Sequence, residues 1–483
     1  GVGVFNQSGG INQGSRLEIG FATRSQGTYF LSGTGAINSP QEYIGNSGTG
    51  NFIENGGSNT TSEFYCPESG SGQYTLNSGS LNCSDVEDIE GSGSFVQQGG
   101  TNTVTTAIEI TGSGTASYTL AAGVVSTTNE FLGPGTTSTF VQLGGTNTLT
   151  GTLHVGDAGG GIANYALSGG TLTAVTESLD NGSTCMFTQS GGSNSISGTL
   201  SFGPTTYGAA SYALSAGIVS AGTEYLGNQA SSVFSQTGGT NTVRGTLTLT
   251  ESNSPNHSSY TLNSGLLTAV AEVIGGGGTT TYTQTGGANS INQLQIGYST
   301  SNGVTTFGVS GGTLNVTGSL TLMGSPGMTT LSIANMTVNA GSVSNSELIS
   351  LTDPAPAGSA GDLDVTGNFV QTSTGKLSLT IGGPVADSTY TVLSIVGSAS
   401  VAGTLSLTIA NGFVPYYHEQ FDIIDAKSLS GSFASVTLPG GTKSYSLSYT
   451  TTGVVLTALP EPAGFGLLAG GALMLAVRRR KRQ

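Results

Sequence analysis

The sequence predicts an all-β chain: a parallel β-helix (β-solenoid) of about fourteen coils, a capping β segment and a short C-terminal transmembrane helix. Three observations carry this reading. Apolar residues fall in short Val/Ile/Leu/Tyr/Phe runs between Gly-containing clusters, the signature of many short strands. A repeat of about 47 residues fills residues 1–335 in seven copies, and each copy divides into two similar halves. The last 25 residues are unlike all the rest.

One half-repeat reads aromatic-x-Gln-x-Gly-Gly-x-Asn and starts at Phe5, Phe52, Phe95, Phe140, Phe187, Phe234 and Tyr282, with Glu54 in place of Gln in the second copy. The other reads aromatic-x-Leu-x-x-Gly-x-apolar and starts at Tyr29, Tyr74, Tyr118, Tyr165, Tyr212, Tyr260 and Phe307. Interleaved, these aromatics recur every 21–26 residues, enough for one coil of short strands joined by turns. A seven-bladed propeller also fits seven copies of this length. The half-repeat symmetry favours the solenoid, because a blade has no reason to contain two like halves.

Coils of a parallel solenoid stack about 4.8 Å apart, so a residue recurring once per coil packs on its own copies. The aromatics are therefore expected to form one or two axial columns. Asn12, Asn59, Asn102, Asn147, Asn194, Asn241 and Asn289 follow the Gly pair and are expected at a turn, as an amide ladder. The Gly pair would supply positive φ there.

Composition narrows the function classes. The chain has 80 Gly, no Trp and only 8% charged residues, against about 25% in ordinary globular domains. Its net charge is −15, yet five of its eleven basic residues crowd the C-terminus. The other six, Arg16, Arg24, Arg244, Lys376, Lys427 and Lys443, are scattered. Nucleic-acid binding needs clustered cations, so no such partner is expected. Cys66, Cys83 and Cys185 form no C-x-x-C pair; they read as incidental small residues, with a Cys66–Cys83 bridge as the alternative. Gly1 falls inside a repeat and no signal peptide precedes it, so the chain is read as N-terminally truncated.

Residues 336–458 lose the repeat phase but keep strand-like runs: KLSLTIGG, YTVLSIVG, GTLSLTIANGF, FDIIDA, GSFASVTLPGG and GVVLTAL. Together they resemble the distal passenger segment of autotransporter-like β-helix proteins, which implies a terminal section capping the core. Residues 459–483 read LPEPAGFGLLAGGALMLAVRRRKRQ. Pro460, Glu461 and Pro462 precede an apolar run, 463–477, and a basic cluster of Arg478, Arg479, Arg480, Lys481 and Arg482. This order resembles the PEP-CTERM sorting signal of Gram-negative-type bacteria that make extracellular polysaccharide. The resemblance implies an exosortase-type membrane transpeptidase as partner, processing the tail near the Pro-Glu-Pro. As a helix the run spans only about 22 Å against a core of about 30 Å, which suits a transient anchor. Its cations should remain cytoplasmic, leaving the solenoid outside. A plain tail anchor is the competing reading.

No catalytic, metal or cofactor-binding residue is nominated. The carboxylate series Glu42, Glu87, Glu130, Glu177, Glu224 and Glu272 recurs every second coil, so neighbours lie about 10 Å apart. That is a structural periodicity, read as bonding turn amides, rather than the facing acid pair of a glycosidase. His154, His257 and His418 share no context, and His418, Glu419 and Asp422 read as a solvated loop. The expected product is a non-enzymatic structural or adhesive protein of the bacterial surface or biofilm matrix. It is exported as an inner-membrane-anchored precursor, and extracellular polysaccharide is a candidate partner. A polysaccharide-binding or polysaccharide-degrading β-helix is the alternative.

Overall fold

The computed structural model describes residues 1–156, 160–179, 182–203, 208–227, 231–250, 257–298, 303–352, 361–410, 412–440 and 444–460. They hold strands, turns and bends, arranged as an all-β parallel β-solenoid of about 15 turns. Two compact units divide the chain: Gly1–Ser332 with Val338–Gly341, and Ile333–Thr337 with Ser342–Gln483.

In the first unit each coil lays three short strands on three faces. Ser94–Gln97 starts one coil and Thr101–Val104 forms its second side. Ala107–Leu120 closes that coil and runs on into the next. Alternate residues point inward, as the alternating burial of Ser94–Gln97 and Thr101–Val104 records. Phe95 pairs in parallel register with Tyr74 below and Tyr118 above, and the same registry continues from coil to coil. Parallel pairing between coils rules out propeller blades, whose strands are antiparallel.

The fourteen aromatics form a single column, as their spacing predicts. Thirteen successive ring pairs have centroids 4.2–5.6 Å apart, and all but the tilted Phe5–Tyr29 pair are stacked. Their spacing follows the coil rise of about 4.8 Å. From Phe52 to Phe307 the rings are buried.

The asparagines overturn their expectation. Each sits on a strand rather than at a turn, and from Asn59 to Asn289 the side chain is buried. They do not form an amide ladder either. Asn102 aligns with Leu81 and Val125, and Asn194 with Leu172 and Val219. The reason is the two-coil period: Asn recurs only on alternate coils, so an aliphatic residue always lies between. The turn belongs to the Gly pair. Gly145 has φ +68°, while a Cβ on Gly144 would lie 2.5 Å from the carbonyl oxygen of Ala121 on the coil below.

The second unit stacks Lys376–Ile381, Thr404–Ile409 and Ser435–Thr437 in parallel. Gly453–Leu459 then pairs antiparallel with both Gln420–Gly431 and Ser444–Tyr449. Its aromatics meet edge to face, Tyr390 and Phe413 against Phe421, instead of stacking. The expected transmembrane helix at 463–477 lies outside the described residues. Among those described, no helix is long and apolar enough to cross a membrane.

Candidate functional site

The chemistry of the first unit is concentrated in its interior, where Gln, Asn, Tyr and Glu form a repeating buried network. The two coil types alternate strictly. A Phe coil carries inward Phe95, Gln97, Asn102 and Ile108; a Tyr coil carries Tyr118, Leu120, Val125 and Glu130. These polar side chains thus face an apolar residue in register, aliphatic except for Phe64 between Glu42 and Glu87, and reach diagonally for partners.

The Tyr118 hydroxyl donates to Gln97 Oε1 at 2.6 Å and accepts from Asn102 Nδ2 at 3.1 Å. The second Asn102 N–H donates to Glu87 Oε2 at 2.8 Å, on the coil before. Gln97 Nε2 closes the network on the carbonyl oxygens of Gly100 and Val124, at 3.3 and 3.0 Å. One unit therefore ties three consecutive coils together. Four more asparagines repeat the Glu bond: Asn59–Glu42 at 2.9 Å, Asn194–Glu177 and Asn241–Glu224 at 3.1 Å, and Asn289–Glu272 at 3.0 Å. Tyr165, Tyr212 and Tyr260 donate to Gln142, Gln189 and Gln236. Glu54, the one substitution in the Gln series, serves the same purpose, accepting from the Tyr74 hydroxyl at 2.5 Å and the Ser80 amide at 2.9 Å.

The carboxyls are unusual in charge state. Burial raises Glu42, Glu87, Glu130, Glu177 and Glu272 to about 8, and Glu224 to about 7; the asparagine partner offsets this only in part. A carboxylate in such surroundings loses its hydration without gaining a cation, so the neutral acid is favoured. The glutamate series is structural, as its period suggests, but its partner is the asparagine side chain and not a turn amide. Sequence reasoning missed this pairing, and missed Gln as the acceptor for Tyr. The signal was present: Gln follows Phe where Leu follows Tyr, so a hydroxyl and its acceptor alternate.

The outer surface offers little chemistry. Between Leu132 and Ser332, the described Asp, Glu, Lys, Arg and His residues outside the core are His154, Arg244 and His257. Hydroxyls dominate instead, with one outward column running Thr103, Ser126, Thr148, Thr173, Ser195, Ser220, Thr242, Thr268 and Ser290 in register. The histidines do not converge: His154 stacks on Phe131 at 4.7 Å, and His257 and His418 are exposed. Near the acidic N-terminal coils, burial and then the neighbours Glu90 and Glu109 raise Asp88 to about 8. Among the described residues no three His, Cys, Asp or Glu side chains are placed to hold a metal ion. Cys66, Cys83 and Cys185 are buried and joined by no disulfide, and burial pushes the Cys83 thiol to about 12. The Cys66–Cys83 bridge is therefore not formed.

Of the sorting residues, Pro460 directly follows the last strand, Gly453–Leu459. Glu461, Pro462, Arg478, Arg479, Arg480, Lys481 and Arg482 lie outside the described residues. No family model, curated protein or solved structure matches the chain.

Proposed function

We propose that this chain is a non-enzymatic structural or adhesive protein of the bacterial surface or biofilm matrix, exported and sorted by an exosortase-type system. The observation that carries the non-enzymatic part is the placement of the recurring carboxyls. Each of the six is enclosed in the core, five of them bonded to an asparagine amide, out of reach of any substrate. What remains outside between Leu132 and Ser332 is, among the described residues, a nearly uncharged surface of hydroxyls, suited to lateral contact or to a neutral glycan rather than to chemistry. Pro460–Glu461–Pro462, the apolar run 463–477 and the cations 478–482 support envelope sorting, through resemblance to the PEP-CTERM tail.

The test is fractionation and intact mass in a host with and without its exosortase. Mature protein should end near Pro460–Glu461–Pro462 only when the enzyme is present. Mature protein still carrying residues 463–483 in the exosortase-positive host would reject sorting in favour of a plain tail anchor. The second reading, a polysaccharide-binding β-helix, is favoured by the hydroxyl column from Thr103 to Ser290. Retention on an insoluble neutral glycan without release of reducing ends would support it; release of reducing ends would overturn the non-enzymatic assignment.

A further inference from the structure

Buried acceptor atoms without donors are rare in folded proteins and call for an explanation. Seventeen buried side-chain oxygens among the described residues have no hydrogen-bond partner, and thirteen of them belong to the same six Glu–Asn pairs. In five pairs the pattern is identical. One glutamate oxygen accepts from Asn Nδ2, while the other glutamate oxygen and the Asn Oδ1 are both orphaned. The sixth, Glu130 with Asn147, is looser: both carboxyl oxygens and Oδ1 lack a donor.

An ionised carboxylate would leave two acceptors and a negative charge together in a dry interior. A single proton removes all three difficulties, because a carboxylic acid carries one O–H donor. We infer that the six pairs are proton-binding sites, each holding a neutral acid; in the five bonded pairs its O–H donates to Asn Oδ1 while Asn Nδ2–H donates to the other carboxyl oxygen, and these protons lock consecutive coils together. Loss of the proton to solvent leaves a carboxylate oxygen against the amide oxygen, an arrangement that repels.

The surroundings supply nothing to compensate. Each carboxyl is faced by at least one tyrosine hydroxyl, and all but Glu42 by another glutamate of the series; Glu42 and Glu87 also face Cys83, and Glu54 and Cys66 add to them respectively. No lysine, arginine or histidine acts on any of the six. The direction of linkage follows. The folded carboxyls titrate at about 7 to 8, against about 4.3 in an unfolded chain. Below about 4.3 both states are protonated and the contribution is complete; it is lost as pH rises through the folded values and levels off above them. The solenoid should therefore be tightest in mild acid and loosened in alkali.

The experiment uses the full chain and the triple variant Glu130→Gln, Glu177→Gln, Glu224→Gln. A glutamine side chain reproduces the neutral acid, with an N–H in place of the O–H. Infrared spectra at pH about 6, where exposed glutamates are ionised, should show a protonated-carboxyl band that weakens in the variant. The wild-type denaturation midpoint should fall from pH about 5 to about 9, and the variant should lose roughly half of that fall while matching wild type at the acid end. A wild-type spectrum without the band, or a variant with an unchanged pH slope, would overturn the inference. If the variant does not fold, titration of the band in the wild-type chain decides: a midpoint in the ordinary carboxylate range rejects the proton sites.

Discussion

At the scale of single residues, polar side chains in this core act through their partners. Asn194 aligns with Leu172 and Val219, and Glu177 with Leu153 and Leu200, so leucine suits either site in shape. Asn194→Leu alone strands the Glu177 carboxyl, and Glu177→Leu alone strands the Asn194 amide. Each should cost about 1–3 kcal/mol, the penalty for an unsatisfied buried polar group. The double replacement removes donor and acceptor together and should cost less than either single change. Denaturant unfolding of the three variants at one pH measures this; additive losses would show that the pair is not a coupled unit. The seventh repeat supplies a natural comparison. There Phe307 takes the place of a tyrosine, and Gln284 Oε1 is left without a donor. Asn289 turns instead to Tyr282 on its own coil, at 2.9 Å.

At the scale of elements, the stacking of strands was legible because it rests on periodicity alone. The aromatic spacing announced both coil length and column. The inward turn of the asparagines was not legible, since Gly-Gly-x-Asn looks like turn chemistry and only the register reveals an aliphatic residue above and below each amide. The loss of repeat phase beyond residue 336 likewise hid the antiparallel pairing of Gly453–Leu459. Turn glycines offer a test of how closely coils meet. Gly412 and Gly145 have nearly equal φ, +67° and +68°, but a Cβ at Gly412 meets nothing within 4 Å while one at Gly145 lies 2.7 Å from the Gly123 carbonyl oxygen. Gly412→Ala should cost about 1–2 kcal/mol for left-handed backbone. Gly145→Ala adds a backbone clash that cannot relax without separating two coils, so its loss in denaturation midpoint should be clearly larger. Equal losses would mean that φ alone demands glycine.

At the scale of the whole molecule, the buried network defines the building block of the first unit as two coils, although geometry would permit one. Phe140 stacks on Tyr165, and Tyr165 on Phe187, in unbroken register, so either one coil or two can be removed without misaligning the column. Deleting 140–186 joins the Tyr118 coil to the Phe187 coil. Tyr118 keeps Gln97, Glu130 acquires Asn194 in place of Asn147, and Phe and Tyr coils still alternate. Deleting 140–164 instead brings the Tyr118 coil against the Tyr165 coil. Glu130 then lies in register with Glu177, about 4.8 Å away, and Tyr165 has lost Gln142. Glu177 keeps Asn194, but the Glu130 carboxyl has lost Asn147 and is buried beside a second carboxyl with no amide of its own. Neighbour-only contacts make solenoid stability close to a sum over coil interfaces, so the larger deletion should shift the unfolding midpoint modestly while the smaller one lowers it steeply or abolishes cooperative unfolding. Circular dichroism of both deletions through a denaturant series distinguishes them. If the one-coil deletion proved as stable as the two-coil deletion, the polar network would be incidental to stacking and the aromatic column alone would hold the coils.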